Sequence, residues 1–147
     1  MPAFITNAVQ VQRFADALYN VNVGATTMAQ VTSDITASGG LDNALNAYFS
    51  NSFTGVPTTT VAANILSNLG IVAGSFGLAA ADVTNAQNYI VGTLNAAPAN
   101  ARGAAVKAIL NNFSSLATDK VYGAVATKFN SDIDKAAAYT GTADILA

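Results

Sequence analysis

The stretch from residue 120 to residue 139 constrains the fold more than any other part of the sequence. It reads KVYGAVATKFNSDIDKAAAY, and its apolar side chains recur at spacings of three and four residues. They are Tyr122, Val125, Phe129, Ile133 and Ala136. Because an α-helix turns once in about 3.6 residues, these side chains fall on one side of a helix, which other helices must cover. The stretch therefore predicts an amphipathic helix within a helical bundle.

The same helix is predicted to carry half of the positive charges of the chain. Lys120, Lys128 and Lys135 fall on the side away from the apolar residues, and the whole chain has only six Lys and Arg residues. Lysine binds phosphate as a point charge, so these three lysines are our candidate contact with an anionic polysaccharide. The alternative is that they are only the solvated side of a helix, which is the usual role of such charges.

Similar patterns along the rest of the chain predict an all-α fold. Six further stretches show apolar residues at helical spacing, and most are separated by glycine or proline. In the first of them, residues 7–20, we expect Phe14 and Leu18 to be buried, while Arg13 and Asp16 point to solvent. No segment alternates long enough to predict a strand. We therefore expect a compact bundle of about six to seven short-to-medium helices.

Residues with capping chemistry predict where these helices begin and end. Gly39-Gly40 and Gly70 follow apolar runs and are expected to end helices, since glycine adopts the left-handed conformation without steric cost. Hydroxyl, amide and carboxylate side chains are expected to cap the helix starts. The candidates are Thr26 or Thr27, one of Thr58, Thr59 and Thr60, then Asn100 and Asp119.

Length indicates a single domain. A chain of 147 residues has the usual size of one domain and is long enough to bury a sizeable core. We expect one helical domain at residues 1–141, with a possible subdivision near Pro57. Residues 142–147 are expected to start a linker or a C-terminal tail.

The residue types that are missing exclude several classes of function. The chain has no His, Cys or Trp, and all eight of its acidic residues are Asp. Without His and Cys, the usual zinc sites and the Ser-His-Asp and Cys-His catalytic groups are impossible. A net charge of −2 argues against a nucleic-acid partner. We therefore expect a protein that is not an enzyme, with no catalytic residues and no cofactor in this domain.

Two further patterns bear on metal and phosphate binding. Asp132 and Asp134 form a D-x-D pair of the kind that calcium sites and some hydrolases use. Residues two apart on a helix do not face each other, so Asp132 is expected to pair with Lys128 and Lys135 instead. The glycines of residues 70–77 match neither a phosphate loop nor a dinucleotide loop. No metal site is therefore predicted.

The tyrosines are a candidate for stacking on sugar rings. They are Tyr19, Tyr48, Tyr89, Tyr122 and Tyr139. Because each lies at helical spacing beside aliphatic residues, we expect them instead to be core residues whose hydroxyl group reaches solvent. In particular, Tyr89 is expected to point inward with Ile90 and Leu94.

Neither a signal peptide nor a membrane span is predicted. The N-terminal sequence MPAFITNAVQVQRF has its first cation, Arg13, after its apolar residues, which is the reverse of a secretory signal. The most apolar window, residues 69–81, is too short to cross a bilayer and contains three glycines.

Most of the chain resembles the N-terminal regions of large secreted surface-layer (S-layer) and calcium-repeat (RTX-type) proteins of Gram-negative bacteria. The stretches that carry the resemblance are RFADALYNVNVGATTMAQVTSDITASGGLDNALNAYF and ARGAAVKAILNNFSSL, which are rich in Ala, Asn and Thr and contain almost no Lys or Glu. The resemblance implies type I secretion and a location at the extracellular cell surface. It implies anchoring to lipopolysaccharide polysaccharide, self-association in a lattice, and calcium only in a downstream repeat region.

A second function from a different class remains open. The chain is alternatively a soluble secreted helical module that binds a small molecule or a lipid between alanine-lined helices. An enzyme without His or Cys would depend on Asp, Lys or Tyr for its proton transfers.

Overall fold

A computed structural model describes residues 7–141 of the chain and the side chains of residues 7–138. The described residues form seven α-helices and one short 3-10 helix, and none of them lies in a strand, which confirms the predicted all-α bundle. The helices are α1 (Asn7–Tyr19), α2 (Ala25–Ser38), α3 (Leu41–Phe53), α4 (Thr58–Leu69), α5 (Ala80–Ala96), α6 (Arg102–Ser114) and α7 (Gly123–Gly141). The 3-10 helix spans Ala99–Ala101, directly before α6.

One hydrophobic core joins α1, α3, α4, α5, α6 and α7. Its largest fully buried aliphatic side chains are Leu45, Val61, Ile65, Leu94, Val106, Leu110, Val125 and Ile133. Most of these positions follow directly from the spacing of apolar residues in each helix. The core includes residues from both sides of Pro57, although a subdivision there stays a prediction. The predicted tail at residues 142–147 lies outside the described residues.

Helix α1 runs through the middle of the bundle and packs against α4, α6 and α7. Seven of its 13 residues are buried, including the polar side chains of Gln12 and Arg13. The Gln12 amide group holds the α1–α2 connection, because it donates to the carbonyl of Val23 and accepts from the Val23 N–H, at 2.7 and 2.9 Å. The side of α1 opposite its apolar stripe is therefore covered as well.

The prediction that Arg13 points to solvent is wrong. Its side chain is only 6% exposed, and its guanidinium group donates to two polar side chains of α6. Nη1 lies 2.7 Å from Asn111 Oδ1, and Nη2 lies 2.8 Å from Ser114 Oγ. Asp16, the second residue predicted to face solvent, is half-buried. Both errors have one cause, since α6 and α7 cover the polar side of α1.

The predicted helix ends are confirmed more often than the predicted starts. Gly39 and Gly70 end α2 and α4 in the left-handed conformation, with φ of 90° and 84°. Helix α2 begins at Ala25 after Gly24, so neither predicted threonine caps it. Helix α4 begins after Pro57, whose carbonyl accepts from the Val61 N–H at 3.1 Å. Asn100 lies within the 3-10 helix and does not cap α6.

Helices α3 and α6 touch backbone to backbone at Gly103. Gly103 is buried in the first turn of α6. A methyl group added to its Cα would lie 2.1 Å from the carbonyl oxygen of Leu45. The next residue continues the contact, because the Ala104 N–H donates to Asn46 Oδ1 at 2.7 Å. Only a residue without a side chain permits this approach.

Candidate functional site

The three candidate lysines do not all lie on one helix. Lys128 and Lys135 are seven residues apart on α7, which places them on one side about two turns apart. Lys120 lies in the turn that precedes α7, because the helix begins at Gly123. All three side chains are exposed. The structure therefore brings Lys128 and Lys135 together and places Lys120 at the start of the same segment.

Asp119 explains why the segment before α7 is a turn. Its Oδ2 atom accepts the N–H groups of Val121 and Tyr122 at 2.8 and 2.9 Å. These two hydrogen bonds lower the pKa of Asp119, since they stabilise its charged form. Asp119 thus opens the predicted segment as expected, although the regular helix starts later.

Acidic side chains lie close to the lysines of α7. Lys128 Nζ lies 2.5 Å from Asp132 Oδ2, as the spacing of four residues predicted. Lys135 lines a surface groove together with Asp16 and Asp132. Both ion-pair partners are exposed, so the pair itself stabilises the fold little. This side of α7 therefore carries mixed charge, which suits a polar surface of low charge better than a dense polyanion.

Asp16 has a raised pKa at the edge of this groove. Burial of its carboxyl group is the main cause, and the negative charge of Asp132 adds to it, while Lys128 acts in the opposite direction. The charged form of Asp16 therefore disfavours the folded state at neutral pH.

Asp16→Asn is expected to raise the melting temperature at pH 7. The pKa of Asp16 is higher in the folded state than in the unfolded state, so its negative charge destabilises the fold. This destabilisation is complete above the folded-state pKa and fades as the pH falls through it. The gain should therefore vanish near pH 3, where both folded and unfolded carboxyl groups are protonated. Thermal unfolding followed by circular dichroism between pH 3 and pH 8 measures this difference.

Asp34→Asn is the matched comparison for that experiment. Hydrogen bonds from Tyr48 and Gln30 lower the pKa of Asp34, so its charge favours the folded state above the unfolded pKa. Its substitution should lower the melting temperature at pH 7, with a loss that fades as the pH falls through the folded-state pKa. If Asp16→Asn lowered the melting temperature at pH 7 as Asp34→Asn does, the account of Asp16 would be wrong.

An apolar cleft lies between α5 and α6 and is closed at its ends by the end of α4 and the turn before α7. Its volume is about 220 Å³. The apolar side chains that line it are Leu69, Ile71, Ala86, Ile90, Ile109, Phe113 and Leu116. Asn85, Tyr89 and Asn112 are exposed at its edge, so the cleft opens to solvent there. No charged side chain lines the cleft within the described part of the chain.

Two tyrosines shape the edge of the cleft. Tyr89 is 47% exposed, so the prediction that it points into the core is wrong, and its hydroxyl oxygen accepts from Asn112 Nδ2 at 3.2 Å. Tyr122 is half-buried, and its hydroxyl group donates to the carbonyl of Asp82 at 2.7 Å. Burial, together with the charges of Asp82 and Asp119, raises the pKa of Tyr122 and keeps its ring neutral. Of the other tyrosines, Tyr139 has a side chain outside the described residues.

The described residues thus form a compact helical domain that carries an uncharged, largely apolar cleft. Comparison with models of protein families, with curated proteins and with solved structures found no match. Among the described residues, no three acidic, His or Cys side chains are grouped to hold a metal ion. No helix in the described range combines the length and the apolar character that crossing a bilayer requires.

Proposed function

We propose that the chain is a non-catalytic domain of a secreted surface-layer-type protein, which anchors that protein at the extracellular cell surface. The anchoring contact is with lipopolysaccharide polysaccharide, with other copies of the domain, or with both. The resemblance of the sequence to surface-layer and RTX-type proteins supports the class, and the exposed face of α2 supports the mode of contact. Calcium belongs to a downstream repeat region in this proposal.

The exposed face of α2 is the observation that carries the proposal. Only Val31 of this 14-residue helix is buried. Its exposed side chains are uncharged and, except for Gln30, small; they are those of Thr26, Thr27, Ala29, Gln30, Thr32, Ser33, Thr36 and Ala37. Hydroxyl and amide groups both donate and accept hydrogen bonds, as the hydroxyl groups of a sugar do. Small side chains also let another surface approach the helix closely.

The lysines of α7 extend this surface. Helix α2 packs against α7, and the groove that contains Lys135 is also lined by Asn22 and Gly24 of the α1–α2 connection. Lys135 therefore lies close to the start of α2. Each contact with a polysaccharide is weak, but many domains in a lattice bind many repeats at once, so avidity supplies the overall affinity.

The proposal is tested by binding the domain to outer membranes of the source organism with and without the O-polysaccharide. We expect binding only when the polysaccharide is present, and equal binding to both membranes would overturn the sugar contact. Analytical ultracentrifugation over a range of concentrations tests self-association separately. A domain that binds neither polysaccharide nor itself would overturn the whole proposal.

Substitutions locate the contact. We expect Lys120→Gln/Lys128→Gln/Lys135→Gln to weaken membrane binding several-fold in total. Each lysine should contribute less than the roughly 1 kcal/mol that a basic residue supplies near an anionic surface, because this side of α7 carries mixed charge. Lys107→Gln is the control, because Lys107 lies on α6 and is paired with Asp42. If the control weakened binding as much as the triple variant, the lysines would not be the contact.

The exposed face of α2 has its own variant and control. Gln30→Ala/Ser33→Ala removes an exposed amide and an exposed hydroxyl group from α2, and we expect it to weaken membrane binding. Asn64→Ala/Ser67→Ala removes the same kinds of group from the exposed side of α4 and should leave binding unchanged. Equal effects of the two variants would argue against α2.

A second function, binding of a small molecule between helices, is favoured by the cleft between α5 and α6. Sites for small molecules are mostly apolar hollows with a few polar groups at fixed positions, and this cleft has both. Its volume of about 220 Å³ is below the roughly 300–1,000 Å³ of most such sites, so it suits only a small ligand.

A further inference from the structure

We infer that the cleft between α5 and α6 binds a small uncharged ring compound that carries one hydrogen-bond donor. This inference rests on the second proposed function, that the cleft is a ligand site, and adds the chemical class of the ligand. Three properties of the cleft carry it: its volume, its aromatic and aliphatic lining without charge, and the amide side chain of Asn112 at its edge.

The volume limits the ligand to one or two rings. An apolar cavity of about 150 Å³ lined by Leu, Ile and Phe accommodates benzene. The cleft has about 220 Å³ and a similar lining, with space for one ring and a second fused to it. Phe113, Tyr89 and Tyr122 present three aromatic rings to this space. Aromatic side chains favour offset or edge-to-face contacts with another ring.

The lining excludes a charged group from the interior of the cleft. Burying an ion without a partner costs far more than an apolar contact returns, and the described lining offers no charged partner. The neutral phenol of Tyr122 does not change this, because its hydroxyl group is already bound to the carbonyl of Asp82. A neutral ring therefore fits inside the cleft, and a carboxylate or an ammonium group buried there does not.

Asn112 supplies the polar contact. Its Nδ2 atom donates to the Tyr89 hydroxyl group, which orients the amide group at the edge of the cleft. No described residue donates a hydrogen bond to its Oδ1 atom, which is left to accept from a ligand. An N–H or O–H group on the ring meets this acceptor, so the ligand is bound by its apolar body and oriented by one hydrogen bond.

Indole and indene are the probes that test this inference. They have nearly the same shape, but only indole carries an N–H donor. Titration of the intact chain, followed by the amide NMR shifts of α5 and α6, measures both affinities. We expect indole to bind with a Kd of about 1 mM, as its small number of atoms allows. Indene should bind about fivefold more weakly, which is the ratio for one lost neutral hydrogen bond.

Substitutions assign the binding to the cleft. Ala86→Leu fills the cleft and should weaken indole binding at least tenfold, whereas Ala81→Leu, on an exposed position of the same helix, should not. Asn112→Ala should weaken the binding of indole but not of indene, so the two probes then bind alike. Circular dichroism and thermal unfolding show that each variant is folded.

The outcomes separate this inference from the function on which it rests. If indole and indene bind equally well in the cleft, or if 1-octanol binds more tightly than indole, the ligand class is wrong and the cleft remains a ligand site. If no probe binds, or if Ala81→Leu weakens binding as much as Ala86→Leu, the cleft is not a ligand site and both proposals are overturned.

Discussion

Gly103→Ala is expected to lower the melting temperature by roughly 6–12 °C, equivalent to about 3 kcal/mol in a domain of this size. The added methyl group would lie 2.1 Å from the carbonyl oxygen of Leu45 and 2.5 Å from the backbone nitrogen of Asn46. Both atoms belong to the backbone of α3, so no side chain can rotate away to make room. The two helices must move apart, which disturbs the core around Leu45.

Gly92→Ala is the matched control for this prediction. Gly92 lies in the interior of α5, is exposed, and would place its new methyl group in open space, with no atom within 4 Å. Alanine is favoured over glycine in a helix, so this substitution should stabilise the protein by about 0.5–1 kcal/mol. The same chemical change therefore has opposite signs at the two sites. If Gly103→Ala unfolded at the same temperature as the native chain, the close contact of α3 and α6 would be contradicted.

Arg13→Ala is expected to lower the free energy of unfolding by about 2–4 kcal/mol. The substitution removes two hydrogen bonds from a charged donor, to Asn111 and Ser114, each of which contributes about 1.5–3 kcal/mol. It also removes a cost, because burying the charged guanidinium group is unfavourable. This burial lowers the pKa of Arg13, and the negative charge of Asp134 offsets the effect only in part. The loss is therefore smaller than the sum of the two bonds. Denaturant unfolding at pH 7 measures it.

Two further variants separate the contributions of packing and hydrogen bonding to the stability lost in Arg13→Ala. Arg13→Met keeps an apolar side chain in place of the buried stem of Arg13. The stability that Arg13→Met regains relative to Arg13→Ala therefore measures packing, and the stability that is still missing measures hydrogen bonding. Lys120→Ala removes an exposed cation and should change the free energy of unfolding by less than about 0.5 kcal/mol. An Arg13→Ala variant as stable as Lys120→Ala would show that Arg13 faces solvent, as the sequence alone predicted.

The partly buried network around Arg13 extends beyond α1 and α6. Ser114 Oγ, which accepts from Arg13, donates to Asn130 Oδ1 of α7 at 2.6 Å, and Asn130 Nδ2 donates to the Ser114 carbonyl at 2.9 Å. One polar chain of contacts therefore joins three helices inside the bundle. Because such contacts are directional, they specify how the helices are rotated against one another, which alanine-rich apolar faces specify only loosely.

Part of the candidate surface was predictable and part was not. The spacing of four residues predicted the ion pair of Lys128 and Asp132, because side chains four residues apart are neighbours on the surface of a helix. The sequence pattern also predicted Lys120 on the same helix, and this prediction is wrong. Asp119 holds the chain in a turn there through two local hydrogen bonds. The exposed face of α2 had no signal in the sequence, since Met28, Val31 and Ile35 recur at helical spacing and yet only Val31 is buried.

The amino-acid sequence by itself determined the helices and the faces they bury, as in α4, where Val61, Ile65 and Leu69 recur every four residues and are all buried. These features depend on residues three and four apart, so they are local properties of the chain. Only the tertiary structure decided that Arg13 is buried, that Tyr89 is exposed and that a cleft separates α5 from α6. Each of these depends on which neighbour lies against a helix and at what distance, and no pattern within a single helix contains that information.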